Sequence, residues 1–224
     1  MRATAPRQRA PRTSEVMAMP EKGVLLQRLF GVLAGLVLAV VVAVPAVAQV
    51  QRGVMEIEDQ PGFVPDEADE VLAGPFERQL VFFRTTEAPG TIIIHTSERF
   101  LYLVEGNNRA MRYGIGVGRE GFQWSGLLQV SRKQEWPDWR PPPEMIQRQP
   151  YLPRFMAGGP GNPMGARALY LGTTIYRIHG TNQPQTIGHA VSSGCFRLVN
   201  HDVVDLYERV PVGTKVIVRH AAKL

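Results

Sequence analysis

TIIIHTSERFLYLVEGNNRAMRYGIGV, residues 91–117, reads as three short strands separated by turns. Thr91–His95 and Phe100–Glu105 are rich in β-branched, leucine and aromatic side chains, which fit a pleated, half-buried surface. The polar tetrad Thr96-Ser97-Glu98-Arg99 between them predicts a hairpin. Gly106-Asn107-Asn108 supplies residues that tolerate the left-handed conformation, so a second turn leads into Met111–Val117.

The same texture extends outward. Gln79–Phe83, Leu127–Arg132, Leu169–Leu171, Thr174–His179 and Thr214–Val218 are further β-rich runs bounded by Gly, Pro, Asn or Ser. One helix is expected, with Val203, Leu206, Tyr207 and Val210 on one face, Asn200 placed to cap it and Gly213 to end it. The predicted fold is mostly β, a sandwich or barrel-like domain with one or few short helices and no internal repeat. Residues 133–165 break the rhythm with eight of the 18 prolines and with Trp136, Trp139 and Tyr151. So long a loop reads either as a semi-rigid lid or cleft wall, or as a surface excursion packed on its own aromatics.

Upstream, the uncharged run Leu29–Val44 follows Lys22 and Arg28 and precedes Pro45 and Ala46-Val47-Ala48. A basic flank, an apolar stretch and a small-x-small site make residues 1–48 a secretory signal peptide cleaved after Ala48, with Met17 or Met19 as alternative starts. An uncleaved membrane anchor is the competing reading, because the run approaches the ~20 residues that span a bilayer. Residues 49–75, acidic and dotted with Pro and Gly, read as a flexible linker or N-terminal arm, leaving 76–224 as the folded domain.

Charge excludes one class of function. Of 25 basic and 20 acidic residues the leader holds six and two, so the remainder is nearly neutral with 19 and 18. No basic cluster with interleaved aromatics remains, and nucleic acid is not an expected partner. The chain has one cysteine, Cys195, which cannot form an internal disulfide in an oxidising compartment. It is either buried and inert or kept for its reactivity.

Its neighbourhood favours reactivity. Residues 176–197 read YRIHGTNQPQTIGHAVSSGCFR, so a β-run delivers His179 sixteen residues before Cys195. Thiol attack on a carbonyl needs a base, backbone N–H groups aimed at the developing oxyanion, and a group that holds the substrate. His179 is the candidate base, its second ring nitrogen held by a carbonyl, for which Gly180 is the candidate. Gly194 is the candidate oxyanion donor, with Ser193 in the same loop; Arg197 and Asn182 are the candidate substrate ligands. Arg197 also reads as a salt-bridge former that orders the loop. His95, His201 and His220 read as structural or exposed, and His189, six residues before Cys195, reads as a loop histidine or as part of the pocket lining. No metal site is expected, since no H-E-x-x-H or close Cys/His pair is present. Ser192 and Ser193 lack the G-x-S-x-G setting of a hydrolase nucleophile. Gly114, Gly116 and Gly118 read as turn or bulge glycines, because no helix follows to make a phosphate loop.

His179-Gly180-Thr181-Asn182 followed by Ser193-Gly194-Cys195-Phe196-Arg197 resembles the signature of the L,D-transpeptidase family, also called the YkuD or ErfK family. The likeness covers roughly residues 90–219, taking in Gly114–Gly118, Trp124-Ser125-Gly126, Gly158–Pro163 and Gly213-Thr214-Lys215-Val216. Many members carry a second histidine where this chain has Ser193, so His179 is the sole candidate base in the motif. The resemblance implies a β-sandwich with a lid over the cysteine, here the Pro/Trp-rich residues 133–165. It implies a cofactor-free enzyme of peptidoglycan biosynthesis, cell wall organisation and cell shape, exported to the periplasm or cell envelope. In such enzymes the cysteine attacks the third residue of a tetrapeptide stem, expels D-alanine, and passes the thioester to an amine. Peptidoglycan stem peptides, an envelope lipoprotein as acceptor and carbapenem-type inhibitors are the implied partners. Two alternatives stand beside it: an L,D-carboxypeptidase or endopeptidase that hydrolyses the same bond, and a non-catalytic envelope binding module.

Overall fold

The computed structural model describes residues 61–220. The chain divides into two units, residues 1–52 and 53–224, and all described residues belong to the second. The apolar run Leu29–Val44, the cleavage site after Ala48 and the starts at Met17 and Met19 lie outside the described residues. Among the described residues no helix is long and apolar enough to cross a membrane.

The predicted hairpin is present. Strands β2 (Ile92–His95) and β3 (Phe100–Gly106) pair antiparallel from Ile92↔Leu103 to His95↔Phe100. Arg99 takes φ 62°, and Asn107 and Asn108 take φ 51° and 56° in the turn to β4 (Arg109–Gly114). Short side chains that bond locally make Asn suited to that left-handed pair. The expected run Met111–Val117 does not continue as one strand. Gly116 leaves the ladder and exchanges two 2.9 Å backbone bonds with Arg197. Val117–Gly118 then forms β5, parallel to β9 (Ala190–Ser192).

The remaining strands are β1 (Gln79–Phe82), β6 (Gly126–Glu135), β7 (Arg167–Leu171), β8 (Arg177–His179), β10 (Phe196–Arg197) and β11 (Lys215–Arg219). Nine strands form one sheet in the order β1-β4-β3-β2-β11-β6-β7-β8-β10. β6 is its pivot. Gly126–Gln129 pair with β11, Val130–Glu135 pair with β7, and the register shifts between Val130 and Arg132. Inward side chains from both halves meet in one core: Ile92, Ile94, Leu101 and Val216 from one, Leu169, Leu171, Ile178 and Phe196 from the other. Their shared cluster brings the two halves of the sheet onto one core, in keeping with the mostly-β sandwich or barrel-like fold expected from the strand runs. Each such side chain stabilises the fold by about 1.5–3 kcal/mol on burial.

Among the described residues two α-helices are found, in keeping with the expected one or few short helices. α2 (Asn200–Arg209) sets Val203 and Leu206 into the core, and Val210 follows at its end. Asn200 does not cap it. Its side chain accepts from the Ala166 N–H at 2.9 Å and donates to Thr181 O at 3.0 Å, satisfying buried loop backbone instead. α1 (Pro143–Arg148) lies inside residues 133–165, where three prolines hide it from a periodicity reading. Trp139, Met145, Leu152 and Met164 bury one another against Ala168 of β7, so this long loop owns a small core. Residues 61–75 contact the domain at several points, including Phe63 O with Asn182 and Pro75 O with Arg112. The Gly62 N–H donates to Gly161 O at 2.9 Å, and Glu70 accepts from Asn200 Nδ2 at 2.8 Å.

Candidate active site

β8 and β10 pair in parallel, with Ile178 beside Phe196 and His179 beside Arg197. Strand alternation sends Ile178 and Phe196 into the core and puts Arg177, His179 and Arg197 on the opposite face. There they line a cleft of about 380 Å³ together with Cys195, Ser192 and Ser193. Trp139, Arg140, Met145 and Met164 of the long loop form its other wall. The structure therefore brings the imidazole and the thiol into one open cleft. A second cleft, of about 310 Å³ beside Glu70, Arg78 and His201, contains neither.

His179 is 4% exposed, and its Nδ1 lies 2.6 Å from Gly180 O, the carbonyl expected to orient it. Gly180 is itself held close, since a Cβ there would stand 2.5 Å from Asn200 Oδ1. Burial, then the charges of Arg197 and Arg177, push the His179 pKa down to about 3, against a partial upward pull from the Gly180 and Met164 backbone. The ring is neutral at neutral pH and able to accept a proton. The Cys195 side chain is partly exposed, with Sγ 3.9 Å from Ile175 O.

The loop that carries Cys195 is tied at several points. Ser192, buried at 2% exposure, accepts from the Gly194 N–H at 3.1 Å and donates to Cys195 O at 2.6 Å. Trp124 Nε1 donates to Gly194 O at 2.8 Å, and its ring stacks on Tyr176 at 4.4 Å. Gly194 sits at φ 108° with Tyr176 Cε1 only 2.7 Å from where a Cβ would be, so conformation and space both demand glycine. The Gly194 N–H, the expected oxyanion donor, is engaged by Ser192 Oγ in this state. Ser193 faces the lid, where Arg148 Nη2 lies 3.5 Å from its Oγ.

Asn182 is not brought to the cleft. It is fully buried and donates to Phe63 O at 3.1 Å and Gly161 O at 3.2 Å, which satisfies its own buried amide. His189 is exposed and does not line the cleft. His95 pairs with Glu98, His201 with Glu70 and Asp202, and His220 with Thr96. Among the described residues no group of three or more His, Cys, Asp or Glu is placed to hold a metal ion. Reading the sequence missed Ser192, Tyr176 and Arg177 as parts of the site. Arg177 was accessible to it: two residues before His179 in a strand, it must share that face.

The chain is 42% identical over 132 residues to Probable L,D-transpeptidase ErfK/SrfK of Escherichia coli K12, covering 56% of this chain and 42% of that protein. It is 42% identical over 135 residues to Probable L,D-transpeptidase YbiS of the same strain, covering 56% and 43%. The chain thus spans about two fifths of the length of these curated relatives. A solved structure from Brucella melitensis, described as a Probable carnitine operon oxidoreductase caia, is 47% identical with a TM-score of 0.44, covering 70% of this chain and 98% of that one. The YkuD family, described as the L,D-transpeptidase catalytic domain, matches residues 89–218, more than half of the chain and all of the cleft's sheet wall. The chain belongs to the YkuD L,D-transpeptidase catalytic domain family.

Proposed function

We propose that the chain is a peptidoglycan L,D-transpeptidase acting in the cell envelope through a Cys195 thioester. The observation that carries this reading is the single cleft lined by Cys195 and a neutral, backbone-oriented His179. His179 takes the thiol proton through the nitrogen that Gly180 does not engage, and the thiolate attacks the carbonyl of the third residue of a tetrapeptide stem. The bond to D-alanine breaks, and His179 returns the proton to the departing amine. Arg197 holds a donor carboxylate; an acceptor amine then attacks the thioester and gives up its proton to His179. A 3→3 cross-link results, or attachment to an envelope lipoprotein when that protein supplies the amine. The backbone of the Ser193–Cys195 loop stabilises the oxyanion, with Ser192 Oγ releasing or sharing the Gly194 N–H. Domain limits of 76–224 and an export signal in residues 1–48 belong to the same proposal.

The test is a purified tetrapeptide muropeptide. Cross-linked dimers are the expected product, and free tripeptide alone would make the enzyme an L,D-carboxypeptidase. A carbapenem is expected to add its mass to the wild-type protein and not to Cys195→Ala. A wild-type protein that stays unmodified and makes neither product overturns the enzymatic reading in favour of a binding module.

A further inference from the structure

The charged lining of the cleft is unbalanced. Arg140, Arg177 and Arg197 face a single carboxylate, Glu144 on the exposed side of α1. Arg177 is the most conspicuous of the three. It shares a strand face with His179, and its Nε is buried with no hydrogen-bond partner. No ion pair of Arg177 is formed among the described residues. Its guanidinium lies 5.3 Å from the Tyr170 ring centroid, while Arg132 occupies the same ring at 3.7 Å. Two like charges thus share one aromatic ring without a carboxylate to offset them, an arrangement that favours an anionic ligand.

We propose that Arg177 is a carboxylate ligand of the cleft, selecting donors that carry a free carboxylate close to the carbonyl Cys195 attacks. The proposal rests on Cys195 being the nucleophile. Arg197, the register partner of His179, lines the same cleft.

Occupancy would also change the base. Arg177 from its own strand and Arg197 from β10 both act to keep a proton off His179, and only Gly180 and Met164 backbone groups oppose them. Arg140 and Glu144 are the charged groups the lid contributes to the cleft. A carboxylate against Arg177 brings negative charge near the ring and strengthens it as a proton acceptor when substrate is in place.

Two small alkylating agents test this without any transpeptidase assay. Iodoacetate and iodoacetamide both react by the same step, in which the Cys195 thiolate displaces iodide and an S–CH₂ bond forms. They differ only in that iodoacetate carries a carboxylate next to the reacting carbon. The ratio of their rates on the full chain, read by intact mass, cancels any change in thiolate supply. We expect Arg177→Gln to lower the iodoacetate-to-iodoacetamide ratio about tenfold, the worth of one charge-assisted hydrogen bond. Arg177→Lys should recover most of it, and Arg140→Gln, on the opposite wall of the cleft, should lower it far less. A ratio unmoved by Arg177→Gln, with Cys195 still alkylating, overturns the Arg177 proposal and leaves the nucleophile standing. An equal fall in Arg140→Gln also overturns it, since the effect is then the general field of the cleft. Failure of wild-type Cys195 to react with either reagent removes the nucleophile and the proposal together.

Discussion

Replacing His179 with Gln keeps a polar group of similar reach in the cleft and removes one titration from the molecule. In the folded state His179 holds its proton only below about pH 3, because burial and the charges of Arg197 and Arg177 oppose the cation. In the unfolded chain it protonates near the ordinary histidine value of about 6.5. The folded pKa is the lower one, so the unfolded state binds more protons throughout the window between them. Stability is therefore full above about pH 6.5 and falls as the solution is acidified toward about pH 3. Each pH unit in that window costs about 1.4 kcal/mol, so going from about pH 7 to about pH 4 removes on the order of 3 kcal/mol through this group. Urea unfolding of both proteins at the two pH values measures it. The carboxylates contribute equally to both, including the buried Asp202, so the double difference isolates His179. Wild type should lose about 3 kcal/mol more than His179→Gln. Equal losses would mean that the ring is not held neutral, and the account of its electrostatics would be wrong.

Gly194→Ala forces a side chain onto φ 108° and against Tyr176, at a cost of about 1–3 kcal/mol. The melting temperature should fall, and carbapenem adduct formation at Cys195 should slow; an unchanged adduct rate would mean that the loop's geometry does not matter to the thiol. Asn182→Ala withdraws the donor from Phe63 O and Gly161 O, and should cost about 1–3 kcal/mol in a urea titration. Its adduct rate should stay at the wild-type level, whereas a rise in muropeptide KM with unchanged stability would return Asn182 to the cleft.

The strands that face the core could be read from residues 91–117 onward, because alternation and turn chemistry are local signals. The hairpin Ile92–Leu103 and the turn at Asn107-Asn108 follow from them. Strands β5, β9 and β10 could not be read, since two- and three-residue ladders are created by their partners and leave no period. α1 begins on a proline run that argues against a helix unless proline falls in the first turn, as Pro143 does. At the site, His179, Cys195 and Arg197 were legible through their spacing and wording, and the structure places all three in one cleft. Asn200 and Asn182 misled for one reason. An asparagine advertises a cap or a ligand, but which backbone group it meets is settled by loops distant in sequence: Ala166 and Thr181 for the first, Phe63 and Gly161 for the second. Ser192 is the converse case, a residue without a motif role that becomes the staple of the nucleophile loop.

The long loop leaves β6 at Glu135 and returns at Arg167, and those two residues are register partners across the ladder. Its ends are thus clamped side by side whatever lies between them, and its apolar cluster closes mainly on itself. Lengthening such an insertion is cheap, about 0.6 kcal/mol for each doubling of a flexible loop. The cleft wall facing the thiol is therefore a cassette: its length and lining can change while the sheet that carries His179 and Cys195 stays as built.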